Sequence, residues 1–327
     1  MRALVQQSLR GPVDLTLTTT QPRPVPGRGE YLVRVGAAGL NFADVMQANG
    51  TYGQGPTPPY VAGFEAAGVI VGSGDGVEEP LPPGTQVIGS GAGAFADYMV
   101  MRAADVLPSP SGWTAAQSLG LVLNWATALA ALRPLRQVEP GDVVLVHAAA
   151  GGVGQAAIRL AKHYGAIVVA TASPSKHELL AGLGVDAVLD RTGPDLAERI
   201  TALTGGVDVV LESVGRATMG VSLAVAKPIV GRVVVFGAAS GDATFTTQDL
   251  VFTHPVQLKG LHIGRLAAAA PSLFASIVDE LCSLIGQGVY SPGSPQVHAL
   301  GEGPGVIRRL QAGETHGKHA LRLGPDS

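Results

Sequence analysis

Three glycines in four positions, Gly151-Gly152-Val153-Gly154, mark the place where this chain could hold an anion. The apolar run Val143-Val144-Leu145-Val146 enters the turn through His147 and Ala148 to Ala150, and an alanine-rich helical pattern leaves it through Ile158. A strand that turns into a helix in this way aims the unpaired amides of the helix N-terminus at a pyrophosphate. Gly151 lets the backbone approach the phosphates and Gly154 lets helix and sheet pack closely, while Ala149 stands where the first glycine of a G-x-G-x-x-G pattern would be. Ala150, Gly151, Gly152, Val153 and Gly154 are therefore candidate dinucleotide contacts.

The residues beyond the turn bear on which dinucleotide binds. A second apolar run, Ile167 to Ala170, ends in Thr171-Ala172-Ser173-Pro174-Ser175-Lys176-His177. A site that prefers NAD places a carboxylate about 20 residues after the glycines, on the ribose 2′-hydroxyl. Ser173 occupies that position and no acid is near. Ser173-Pro174 also reads as a helix N-cap followed by the first helical residue. Lys176 is a cation in a first helical turn, which opposes the helix dipole unless a phosphate sits there. Arg191, after the run Ala187 to Leu189, is a second candidate cation, or else a solvated loop charge. The missing acid and Lys176 predict NADP(H), with Ser173, Lys176 and Arg191 around its 2′-phosphate.

These residues need a frame. From about 121 to 260, apolar runs (Val143 to Val146, Ile167 to Ala170, Ala187 to Leu189, Val207 to Leu211, Val233 to Phe236) alternate with helical patterns, which predicts a doubly wound parallel sheet. Residues 1 to about 120 hold short apolar runs, Tyr31 to Val35, Ala67 to Val71 and Gln86 to Ile88, separated by Gly/Pro turn clusters, and read as β-rich. From 261 onward come a helix, Pro271 to Gly286, and a final strand, His319 to Leu323, and this tail is expected to rejoin the first domain. The chain thus divides into 1–120 with 261–327, and 121–260. Pro255 to Leu261 alternates like an edge strand, a template for a second chain.

Composition narrows the classes of function. At 327 residues with 46% hydrophobic content, the chain can fill two cores. A net charge of −3 with no basic run argues against nucleic acid as a partner. The N-terminal residues lack the apolar core of a signal peptide, and the apolar stretch Leu119 to Leu132 contains Asn124 and reads as too short to span a bilayer, so a cytoplasmic protein with no membrane partner is expected. The single cysteine, Cys282, excludes an intramolecular disulfide and a multi-thiolate zinc site, and is expected to be a small buried hydrophobe. No H-x-x-x-H pair occurs among the eight histidines; His147 reads as a hydrogen-bonded core residue, His316 and His319 as solvated.

Taken together, these motifs resemble the zinc-independent quinone oxidoreductase (zeta-crystallin-like) branch of the medium-chain dehydrogenase/reductase family. Gly39-Leu40-Asn41-Phe42-Ala43-Asp44, Gly50-Thr51-Tyr52, Pro59 to Val69, the glycine turn, Glu212-Ser213-Val214-Gly215, Phe236 to Gly241 and Gly317-Lys318 carry the resemblance across nearly the whole chain. It implies a Rossmann cofactor domain beside a GroES-like catalytic domain. It also implies that Thr127, Val214, Phe236, Gly237, Ala238 and Lys318 contact the cofactor, and that dimers form. In the family's zinc enzymes a cysteine stands at Asn41 and a histidine follows the glycine of G-H-E; here the residues are Asn41 and Phe64, so no zinc is expected. Asp44 and Glu65 are read as structural.

A metal-free site suits an acceptor that is already electron-poor, a quinone or an enone. Hydride transfer leaves an anion that needs hydrogen-bond donors, and the Asn41 amide and Tyr52 hydroxyl are the candidate catalytic pair, with a loop-capping Asn and an aromatic lid as the alternatives. NADPH-dependent quinone reduction is the leading reading. Reduction of α,β-unsaturated carbonyls or enoyl thioesters is the first alternative, and an NADPH-binding sensor or structural protein with little turnover is the second.

Overall fold

The computed structural model describes residues 1–53, 55–135 and 137–324. The chain forms two compact units, Met1–Val122 with Pro292–Ser327, and Leu123–Ser291.

In the first unit the long strand Glu30–Leu40 organises a seven-stranded sheet. Antiparallel partners flank it: His319–Arg322 on one side, Glu65–Ser73 on the other, and Tyr98–Arg102 along its first half. Inward-facing Val33, Val35, Ile70, Met99 and Met101 alternate with outward residues and build the core with Phe95, Val306 and Leu321. The registers matter for the site. Leu40 pairs with His319 and Ala38 with Ala66, so Lys318, Asn41 and Glu65 meet at one end of three adjacent strands.

The second unit carries a six-stranded parallel sheet in the spatial order Ala187–Asp190, Ile167–Ala172, Val143–Val146, Val209–Glu212, Arg232–Val235, Gln257–Gly260. Numbered along the chain, that is 3-2-1-4-5-6, the doubly wound order whose direction reverses between the first and fourth strands. Helices cover both faces, so the central strands are largely apolar; all four residues of Val143–Val146 are buried. Gly152–His163 connects the first strand to the second.

Several expectations need correction. The return to the first unit begins at Pro292, not 261, because Pro271–Gly286 lays its Ile277, Leu281 and Leu284 stripe in the second unit, against Ala126–Leu132. Helical periodicity identifies an apolar stripe but not its partner. Cys282, one position off that stripe, is exposed. His319 is buried on the last strand, its Nδ1 3.0 Å from Nε2 of His298, whereas His316 is exposed. Ala115–Leu132, with mean hydropathy 1.3, is long and apolar enough to pass for a membrane span. It is nevertheless 72% buried in the protein, and the chain turns extended at Leu119.

Candidate active site

The glycine turn has the geometry its sequence implies. Ala148 takes φ 47°, Gly151 is the N-cap of Gly152–His163, and no side chain caps it. The amides of the first helical turn have no intrahelical acceptors and so suit a phosphate. A Cβ at Gly154 would lie 2.6 Å from Ala149 Cα and 2.5 Å from its carbonyl oxygen, so only glycine fits where the helix crosses the turn. The residues present therefore fit a dinucleotide pyrophosphate. Helix Ala126–Leu132, which carries the buried Thr127, packs on the helix that leaves the turn. A Cβ at Gly152 would lie 3.1 Å from the Asn124 carboxamide.

Beside the switch point the loops after the fourth and fifth strands lock together by backbone. Ala239 N–H donates to Ser213 O (3.1 Å), Ser240 N–H to Val214 O (2.7 Å) and Arg216 N–H to Gly241 O (3.0 Å). This holds Val214, Phe236, Gly237 and Ala238 at the carboxyl ends of the strands. A Cβ at Gly237 would lie 2.7 Å from Ser213 O.

The residue that sequence reading used only as part of a motif is Glu212. Fully buried, it accepts from Val214 N–H (2.7 Å), Gly215 N–H (2.9 Å), Thr218 Oγ1 (2.8 Å) and Ser222 Oγ (2.5 Å). A carboxylate ending an apolar strand, followed by hydroxyls, was the available signal. His147 is buried as expected, with Nδ1 2.8 Å from Thr171 Oγ1. Burial holds its pKa below the usual histidine value, against the pull of the Glu212 carboxylate.

Ser173 follows the strand Ile167–Ala172 and starts a 3₁₀ turn, Pro174–Lys176, without a side-chain cap. Thus the N-cap position is as expected, but the capping bond is not made. Lys176 is half-buried at the end of this turn, and Arg191 is exposed after Ala187–Asp190, tied by its N–H to Ala172 O (3.0 Å). Burial, and then the Arg191 charge, pull the Lys176 pKa below its usual value. Ala172 pairs with Asp190, so Ser173, Lys176 and Arg191 follow the same end of two neighbouring strands, an arrangement that suits a 2′-phosphate.

In the first unit, Asn41 follows the strand Glu30–Leu40 and is the N-cap of helix Phe42–Ala48. Its Nδ2 donates to Glu65 Oε2 (3.0 Å) and Gly39 O (3.3 Å), and its Oδ1 accepts from Lys318 Nζ (2.7 Å). Lys318 also pairs with Glu65 Oε2, and Glu65 Oε1 accepts from Gly120 N–H (2.6 Å). A side chain at Gly39 would collide with Glu65 and come within 2.9 Å of Lys318 Cε. Asp44 accepts from Asn41 N–H (2.7 Å), and burial raises its pKa to about 7. Tyr52 stacks on Phe64, with ring centroids 6.4 Å apart. Asp44 and Glu65 thus hold the site's frame. Lys318, which the resemblance assigned to the cofactor, is bonded to Asn41 and Glu65. No signal local in sequence joins residues 253 positions apart. Asn41 and Phe64 do not suit zinc, and among the described residues no group of three or more His, Cys, Asp or Glu could hold a metal ion.

A nucleotide-type parallel sheet and a β-rich unit with a metal-poor polar cluster define a two-domain oxidoreductase architecture. Residues 152–280 match the family model described as zinc-binding dehydrogenase, and 27–111 that of the alcohol dehydrogenase GroES-like domain. The rat synaptic vesicle membrane protein VAT-1 homolog is 30% identical over 322 residues, covering 93% of this chain and 79% of that protein. A pikromycin polyketide synthase component, PikAII of Streptomyces venezuelae, is 38% identical over 277 residues, 83% of this chain but only 7% of the synthase. The Escherichia coli quinone oxidoreductase complexed with NADPH superposes with a TM-score of 0.91 at 28% identity, covering 98% of this chain and 100% of that one. The CurK enoyl reductase reaches 0.87 at 30% identity, with 98% and 99% covered. The chain belongs to the medium-chain dehydrogenase/reductase family, in the branch of the zinc-independent quinone oxidoreductases.

Proposed function

We propose that this chain is an NADPH:quinone oxidoreductase that transfers hydride to an electron-poor quinone without a metal. At the coarser level it is an NADP-dependent oxidoreductase of the quinone oxidoreductase and enoyl reductase type. The observation that carries the finer reading is the Asn41–Glu65–Lys318 cluster, built around Asn41 at the position where the resemblance places a zinc-ligating cysteine. Oxidising an alcohol needs a Lewis acid that drives off its hydroxyl proton, which zinc supplies; the Asn41–Glu65–Lys318 cluster offers hydrogen-bond donors alone. Reducing a quinone needs only positioning and donors to its oxygens.

The amides of Gly151, Gly152, Val153 and Gly154, with Ala150, would hold the pyrophosphate, and Ser173, Lys176 and Arg191 the 2′-phosphate. Thr127, Val214, Phe236, Gly237 and Ala238 would line the cofactor. When bound, the reduced nicotinamide supplies a hydride, so the acceptor gains two electrons and one hydrogen and takes its second proton from solvent. Asn41 and Tyr52 flank the acceptor in this reading. NADPH consumption with 1,4-benzoquinone or 9,10-phenanthrenequinone, and none of NADP with simple aliphatic alcohols, is the expected result. Vigorous alcohol oxidation by zinc-free protein would overturn it.

A second reading is favoured by the polyketide synthase relative and the enoyl reductase structure: reduction of enones or enoyl thioesters. Faster turnover of a crotonyl thioester than of either quinone would select it. A homodimer in the cytoplasm fits both readings. Gln257–Gly260 is an unpaired sheet edge, and Ile229 (66% exposed), Val230 and Phe252 (74%) leave apolar surface near that end of the chain segment. Light scattering should give twice 33.1 kDa.

A further inference from the structure

The Asn41 carboxamide is committed inward. Its nitrogen serves Glu65 and Gly39, and its oxygen serves Lys318. Lys318 is in the opposite condition. An ammonium has three donors. One goes to Asn41 and one to Glu65, which leaves a third. The Lys318 side chain is 13% exposed and Glu65 0%, so the cation sits at the mouth of the cluster with its counter-ion sealed beneath. Glu65 is itself fixed by Gly120 N–H, and Gly39 keeps the space beside both side chains clear.

We propose that Lys318 is the side chain that meets the negative charge developing on an acceptor oxygen, and that Asn41 and Glu65 are its positioning residues. This rests on the acceptor being a quinone or an enone. Its third N–H then serves as the oxyanion donor, in a site dry enough for a fixed charge to act strongly. Asn41 and Glu65 remove the freedom of a long, flexible ammonium arm and fix the direction of the remaining donor. Lys318 thereby leaves the set of cofactor ligands that the sequence resemblance gave it.

The test combines turnover with a measurement that needs none. Lys318→Met should lower kcat with 1,4-benzoquinone by about 10²–10³, the effect of deleting one oxyanion donor. The NADPH Kd, from fluorescence titration, should stay within about twofold, since such a donor acts on the acceptor. Lys318→Arg should recover part of the loss. Because Lys318→Met strands a buried carboxylate, the neutral pair Glu65→Gln/Lys318→Met is measured beside it and should show the same kcat loss. In parallel, the NADP-loaded protein is titrated with 4-nitrophenol, whose phenolate imitates the anionic product. Wild type should lower the bound phenol's pKa by about 1 unit or more, as an adjacent cation does, and both variants should not. A rise in NADPH Kd with kcat unchanged would return Lys318 to the cofactor, and equal or absent nitrophenolate binding in wild type and variants would overturn the proposal. If wild type reduces neither quinones nor enones, the functional reading fails by itself and the nitrophenol titration still decides the role of Lys318.

Discussion

The two polar regions of this chain hold charge by different means. In the second unit, the turn at Ala148–Gly154 offers backbone amides, and its side chains matter mainly by being absent. In the first unit, Asn41, Glu65 and Lys318 work through side chains, each fixed by the other two. A backbone site comes from one contiguous segment, since strand, turn and helix carry their own amides. A side-chain site needs three strands in register before any of its groups meet. The first should fail by steric crowding, the second by an unbalanced charge.

The largest effect should come from breaking the side-chain region. Glu65→Ala leaves Lys318 without its buried partner and should cost about 3–5 kcal/mol in denaturant unfolding. A loss below 1 kcal/mol would mean that the pair contributes little to the fold.

Crowding the backbone region comes next. Gly154→Val places side-chain atoms on Ala149 and should destabilise by about 1–3 kcal/mol, the range for overpacking, while abolishing NADPH binding in a fluorescence titration. Retained binding would show that helix and turn can separate without losing the cradle.

In the second unit the candidate cations for the cofactor, Lys176 and Arg191, follow the two outermost strands at one edge of the sheet. Lys176→Ala should weaken NADPH by about 1.5–3 kcal/mol, the contribution of a hydrogen bond to a charged group, and leave NADH nearly untouched. Equal losses for both cofactors would remove Lys176 from the 2′-phosphate.

The smallest effect is the most diagnostic of burial. Asp44 has its folded pKa raised to about 7, above the unfolded carboxylate, so the folded state binds more protons between the two values. Stability contributed by the protonated form is present at low pH and is lost as pH rises through about 7. Asp44→Asn should therefore gain stability over wild type at pH 8, and the gain should shrink as pH falls towards 5. A pH-independent difference in thermal unfolding would mean that Asp44 is ionised throughout.

Much of the second unit was legible because its signals are local. The first strand, Val143–Val146, has the bounds its apolar run implied, and so does Pro271–Gly286. The fourth strand starts at Val209 rather than Val207, because Val207 bridges to Ala226 outside the sheet. Cys282 and His319 were misplaced for a common reason. Their burial depends on which neighbouring element covers a face, and periodicity gives a face without its cover.

The sequence by itself determined the parallel-sheet unit, the glycine turn, the absence of an acid at Ser173, and the residue types at Asn41 and Phe64. Each is a property of a short segment, set by backbone sterics, side-chain periodicity or the chemistry of a single side chain. Tertiary structure alone decided that Lys318 pairs with Glu65 and Asn41, that Glu212 fixes the Val214–Gly215 loop, and that the helix from Pro271 belongs to the second unit. Hydrogen bonds and ion pairs act over about 3 Å, whatever the separation along the chain. Strand register, set by the packing of a whole core, brings residues 41, 65 and 318 within that distance.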